Sequence, residues 1–156
     1  MKNKSIFSVR FLITLLIFAA ATLFVASIDS KTLEPPDGLL YGNVTRVIDG
    51  DTFIFVSDSN SKEFTVRMIG VDSPESVNPD PEKNTEAGIK ASIYSKEQLE
   101  EQHVGLEFDI QVQDKYGRYL AYVWIDGVLY NKQLLDSGHA TLMTVPPNIK
   151  YIDYLL

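Results

Sequence analysis

Two runs rich in β-branched and aromatic residues, 40–48 and 52–57, stand on either side of Asp49-Gly50-Asp51, and a third, 63–71, follows the polar stretch 58–62. Apolar runs punctuated by Gly, Asp, Asn and Ser read as strands, here three in a meander. Residues 106–112 alternate apolar and polar side chains, and 120–125, apolar throughout, are read with the same period of two on the other side of the turn-forming Asp114 to Gly117, while Asp126-Gly127 leads into a short run at 128–130. This pattern predicts two more strands and a tight turn. Between the third and fourth strands the pattern changes twice. Residues 72–85 set Pro74, Pro79 and Pro81 among polar side chains, a loop long enough to carry function. Residues 86–101 lack proline and place Ala87, Ala91, Tyr94 and Leu99 at near-helical spacing, which predicts one helix. A short helix at 131–137 should stop at Gly138. After Pro146-Pro147, Asn148 is expected to cap a last helix with Ile149, Ile152, Leu155 and Leu156 on one face. Five strands with a helix inserted after the third predict an α+β fold, a five-stranded Greek-key barrel of the oligonucleotide/oligosaccharide-binding kind (OB-fold) with about three helices.

The first thirty residues follow another rule. Lys2, Lys4 and Arg10 precede an uncharged apolar run from Phe11 to Val25, and Val25-Ala26-Ser27 offers small residues for cleavage after Ser27. That is the layout of a secretion signal. It predicts a signal peptide at 1–27, a Pro-containing linker at 28–37 and a domain at 38–156. The alternative is an uncleaved membrane anchor at 11–28, close to the roughly 18 apolar residues a spanning helix needs. Either outcome places the domain outside the cytoplasm, secreted or tethered. The chain has no cysteine, which excludes disulfides, a lipid anchor on cysteine and a thiolate zinc site. From Pro36 onward ten basic residues face nineteen acidic ones, a formal charge of −9. So acidic a domain is unsuited to loose, charge-driven nucleic-acid binding, which depends on cations neutralising phosphates.

Three short segments carry the candidate chemistry: Asp49 to Thr52, Arg67 to Glu75 and Asp114 to Arg118. Alone, the first and third are ordinary turns, and Asp72-Ser73-Pro74-Glu75 is an Asx turn or helix start. Arg67, flanked by apolar residues in a strand, needs a paired anion if it is buried. Together the segments offer carboxylate oxygens for a hard divalent cation, a spare carboxylate and two guanidinium forks suited to phosphate. His103 and His139 each stand alone and read as structural. Trp124, Tyr119, Tyr122 and Tyr130 lie at strand spacing and read as core or barrel surface rather than base-stacking platforms.

The sequences from Val47 to Thr52, Val66 to Glu75 and Asp114 to Arg118 resemble, in order and spacing, the signature segments of the staphylococcal nuclease (thermonuclease-like) family, and the resemblance covers about residues 44–140. It implies the five-stranded barrel and a calcium-dependent hydrolase that cleaves DNA and RNA, single-stranded or locally opened, acting as a monomer. It also implies roles: Asp51 and Asp72 as calcium ligands with the Ser73 carbonyl, Glu75 as the base that activates water, and Arg67 and Arg118 as phosphate clamps. Lys115 and Tyr116 would contact a terminal phosphate. The chain departs from the family in three places. Ser73 replaces the usual threonine, and Thr144 to Pro147 occupy the region where a tyrosine usually approaches the base. The family's last helix normally runs several turns further, so this one is expected to be incomplete, as in a fragment, with an uncovered apolar face. The competing expectation is a catalytically silent barrel that binds nucleic acid or a protein. The retained Asp51, Arg67, Asp72, Glu75 and Arg118 argue against it.

Overall fold

A computed structural model describes residues 33–77 and 80–156. The expected signal peptide at 1–27, the alternative anchor at 11–28 and the first half of the linker lie outside the described residues. No helix among the described residues is long and apolar enough to cross a membrane. The elements are β1 (Leu40–Asp49), β2 (Thr52–Ser57), β3 (Glu63–Met68), β4 (Val71–Asp72), α1 (Glu86–Leu99), β5 (His103–Gln113), β6 (Tyr119–Ile125), β7 (Val128–Leu129), α2 (Tyr130–Asp136), β8 (Thr141–Leu142) and α3 (Ile152–Leu155), with one 3-10 turn at Pro81–Lys83.

Strands β3, β2, β1, β5, β6 and β7 are neighbours in that order, and a parallel pairing of β3 with β6 (Val66 with Tyr119, Met68 with Ala121) closes five of them into a barrel. Closure leaves few free strand edges to pair with other chains. The interior holds Val44, Phe53, Phe55, Val66, Met68, Val104, Leu106, Ala121 and Val123, capped by Leu99, Tyr130 and Leu134. A second cluster joins Ile69, Tyr122, Trp124, Leu129 and Leu155, with Leu33 and Leu39 packed against it. The expected barrel is therefore present, and Trp124, Tyr122 and Tyr130 are buried in its cores. His103 hydrogen-bonds Asp58 at 2.8 Å and stacks on Tyr41, while His139 stacks on Tyr94.

The sequence pattern and the structure differ in four places. The third strand ends at Met68, because Gly70 turns the chain at φ +79°, a region L side chains avoid, and a Cβ there would lie 2.5 Å from Leu155. The residues after this turn form β4, which pairs with β8 (Asp72 with Thr141). Helix α1 begins where the Thr85 hydroxyl accepts from the Gly88 amide at 2.9 Å. It buries Gly88, Ala91, Ser95 and Leu99, rather than Ala87 and Tyr94. Small residues on that stripe let the helix approach the barrel closely. The last helix is a single turn starting at Ile152, and Asn148 does not cap it. Only 6% exposed, the Asn148 side chain instead accepts from the Gln111 amide and donates to the Gln111 carbonyl, both at 2.8 Å. Ile149 and Leu156 are exposed, whereas Leu155 is buried.

Asn131, the second residue of α2, is fully buried and joins α2 to the barrel. Its side chain accepts from the Val123 amide and donates to the Ile69 carbonyl, both at 2.8 Å. Asn131→Ala strands both backbone groups in the core. It should lower unfolding free energy by about 3 kcal/mol, read from urea denaturation.

Candidate active site

The turn between β1 and β2 is pressed against the loop after β4. A Cβ on Gly50 would lie 2.7 Å from the Ser73 side chain, so only glycine fits. The turn is held from below by two buried hydroxyls: Tyr130 donates to Ser95 at 3.1 Å, and Ser95 donates to the Gly50 carbonyl at 2.5 Å. Burial pushes the Tyr130 phenol well above its ordinary range, so it remains a donor. Asp49 is buried in the same turn and accepts from the Ser76 hydroxyl at 2.6 Å.

Asp51 is 5% exposed. It accepts from the Thr52 hydroxyl at 2.9 Å and from the Ser73 amide at 2.7 Å, and its Oδ2 lies 3.1 Å from Arg67 Nη2. Arg67 rises from β3, where its Nη1 donates to the carbonyls of Met68 and Val71 at 3.0 and 2.7 Å. The same Nη2 also donates to Asp72 Oδ1 at 2.9 Å. One guanidinium nitrogen therefore draws two carboxylates, one from the β1–β2 turn and one from β4, onto a single point, and Asp72, 45% exposed at its side chain, keeps its other side open.

Glu75 follows on the loop, its backbone gripped from two directions. The Thr85 amide donates to its carbonyl at 3.0 Å, and the absent side chain of Gly88 makes room for that carbonyl against α1. Across the opening, the turn before β6 presents Arg118. Its Nε donates to Asp114 at 2.7 Å, and its backbone amide donates to the same carboxylate at 3.0 Å. Burial works against the Asp114 charge, but the bonds from Arg118 and the Tyr116 amide outweigh it and hold the carboxyl below its ordinary value.

Arg67, Asp72, Glu75, Asp114 and Arg118 line one cleft of about 360 Å³, whose lining also includes Gln111, Leu120, Met143, Val145 and Asn148. Asp51 and Ser73 are buried outside this lining, Asp51 joined to it through Arg67 and Ser73 through its amide bond to Asp51. Lys115 and Tyr116 stand apart from this lining, on the hairpin tip, where Tyr116 is 73% exposed and lies under the Lys115 and Arg118 cations. Sequence reasoning gave Asp114 no role of its own; the only signal was its place four residues before Arg118. Nor did it mark Asp49 as the tie to the Glu75 loop or Gln111 and Asn148 as cleft lining, since backbone-directed bonds leave no pattern.

The donor set suits a hard cation. Asp51, Asp72, Glu75 and Asp114 bring four formal negative charges against two from Arg67 and Arg118, an excess that a divalent ion cancels before a phosphate enters. The buried Ser73 hydroxyl has no hydrogen-bond partner among the described residues, which suits a site completed by an oxygen-ligated ion and its water. Among the described residues no three His, Cys, Asp or Glu converge on one point, so such an ion would draw the rest of its shell from backbone oxygen, water and substrate.

A closed five-stranded barrel with its carboxylates and guanidiniums gathered in one cleft belongs to the oligonucleotide/oligosaccharide-binding class. Comparison with known proteins narrows this: residues 65–156 match the staphylococcal nuclease homologue model, and the chain belongs to that family. It is 42% identical over 147 residues to the thermonuclease of Staphylococcus hyicus, covering 87% of this chain and 83% of that one. Against the thermonuclease of Staphylococcus intermedius the identity is 46% over 111 residues, covering 69% of this chain and 62% of the relative. Endonuclease YncB of Bacillus subtilis is 44% identical over 115 residues, covering 71% and 53%. The chain thus spans less than two thirds of the length of the second and third of these relatives.

Proposed function

We propose that this chain is a nuclease that hydrolyses phosphodiester bonds of DNA and RNA by metal-assisted attack of water, with calcium as the metal. The observation that carries the reading is the convergence of Asp51 and Asp72 on one nitrogen of Arg67, in the cleft that also holds Glu75 and Arg118. Asp51, Asp72 and the Ser73 carbonyl would hold the calcium, which when bound offsets the charge of the phosphate. Arg67 Nη2, which the two carboxylates share in this structure, would donate to a phosphate oxygen. Arg118, aligned by Asp114, donates from the opposite wall, so the phosphate is gripped by two planar forks. Glu75 takes a proton from the attacking water, and the anchored backbone on either side of it limits its drift from that task. Lys115 and Tyr116 meet the strand beyond the cleft, at a terminal phosphate.

The substrate strand is taken to be single or locally opened, as the family resemblance implies. The acidic surface restricts strong contact to the cleft itself. The leader pattern supports an extracytoplasmic enzyme, secreted or anchored by residues 11–28, and the closed barrel supports a monomer. The test is incubation of the purified chain with heat-denatured DNA in calcium and then in excess chelator. Cleavage that needs calcium is the expected result. Undiminished cleavage in chelator removes the metal from the scheme, and no cleavage by the folded protein sinks the nuclease reading.

A further inference from the structure

Far from the carboxylates, β5 buries another one. Glu107 is 7% exposed and accepts from the Trp124 indole at 2.9 Å, from the Tyr151 hydroxyl at 3.0 Å and from the Lys150 ammonium. The catalytic scheme does not use it. Two of its three donors are consecutive residues of the segment that runs from Met143 to Leu155, and the start of that segment lines the cleft through Met143, Val145 and Asn148.

This segment is held chiefly by polar bonds. Val145, Ile149 and Tyr154 are exposed, and Leu155 is the buried apolar anchor. The Met143 amide donates to the Gly70 carbonyl at 3.1 Å, and the Asn148 side chain grips the Gln111 backbone. The Lys150 amide donates to Asp109 at 3.2 Å, and the Tyr151 ring packs edge-on against Tyr122 and Trp124. A segment with little apolar burial opens locally at low cost, and charge-assisted bonds then set how often it does so. Glu107 supplies two of those bonds to adjacent residues, and its effect on Lys150 is to raise the ammonium above its ordinary 10.5.

We propose that Glu107, with Lys150 and Tyr151, is a latch that fixes the cleft-lining segment from Met143 to Asn148, a positioning residue for substrate binding rather than for the chemical step. The proposal rests on the nuclease reading only for its kinetic readout. In the full chain, Glu107→Gln removes the charge and Lys150→Met removes the donor. Lys150, with its side chain 47% exposed, can be replaced without threatening the fold. Measured well below the unfolding temperature, both variants should raise KM for denatured DNA, by about tenfold for Glu107→Gln, with kcat within about twofold of wild type. Amide exchange at Met143 and Asn148 should accelerate by a similar factor, while amides of β2 and β3 keep wild-type protection. Equal loss of kcat and kcat/KM, or unchanged exchange at Met143 and Asn148 in both variants, overturns the latch. If the wild type does not cleave DNA, the nuclease reading fails on its own, and the exchange rates still decide the latch.

Discussion

Glu75→Gln should leave the barrel folded and cut kcat by roughly 10²–10⁴-fold, the range a positioned general base contributes. The Glu75 side chain is exposed in the cleft, and its fixed points are backbone ones: the Thr85 amide on its carbonyl and the close approach of Gly88. Glutamine keeps those contacts and the side-chain length while losing the ability to accept a proton at neutral pH. KM for denatured DNA should change little, since Arg67 and Arg118 remain. Steady-state kinetics beside a urea melt separate the outcomes. A variant as active as wild type would remove Glu75 from the chemistry, and one that melts early would assign it a structural part instead.

Arg67→Ala is expected to do more damage, because the residue acts in two ways. Its loss takes a guanidinium from the phosphate, worth about 10²–10³ in rate where a single transition-state donor has been removed. It also leaves Asp51 without its cationic partner in a site 5% exposed. Breaking a buried pair costs about 3–5 kcal/mol; because Asp72 is 45% exposed and can rehydrate, about 2–3 kcal/mol is the expected loss of stability. Calcium should restore part of it, since the same two carboxylates are then neutralised by the ion. Arg67→Lys tests the geometry separately. An ammonium can replace the charge but cannot reach the Met68 and Val71 carbonyls and two carboxylates from one rigid plane, so activity should stay near that of the alanine variant while stability recovers. A lysine enzyme as active as wild type would show that charge alone suffices.

What could be read from the chain follows the range of each interaction. Strands β1 and β2 were legible from β-branched and aromatic runs bounded by turn residues, and β5 from the period-two pattern that a half-buried strand writes into its own residues. The three site segments were legible because their residue types are unusual together. The break at Gly70 was not, since it depends on Leu155 lying beneath it. Neither was the pairing of β4 with β8, two residues each, too short for any period. The buried stripe of α1 was misjudged for a physical reason: closeness to Gly50 and to the Glu75 carbonyl selects Gly88, Ala91 and Ser95 for size, and size does not register as hydrophobicity. Asn148 looked like a helix cap because its amide suits one, yet the same amide serves the Gln111 backbone equally well. The orientation of Arg118 by Asp114, and the role of Glu107, rest on where single oxygen atoms lie.

The parallel pairing of β3 with β6 has a consequence for how the activity comes into being. Arg67 is registered against Leu120, two positions beyond Arg118, so the strand contact that brings the two guanidiniums to one cleft also seals the barrel. That contact joins residues more than fifty positions apart, and contacts of such long separation are slow to form because loop closure must come first. A chain with its first three strands already assembled has Asp51 and Arg67 in place but faces no second guanidinium. Competence to grip a phosphate with both guanidiniums therefore arrives with the closing step of folding, and a chain still open at that seam carries only half of the site.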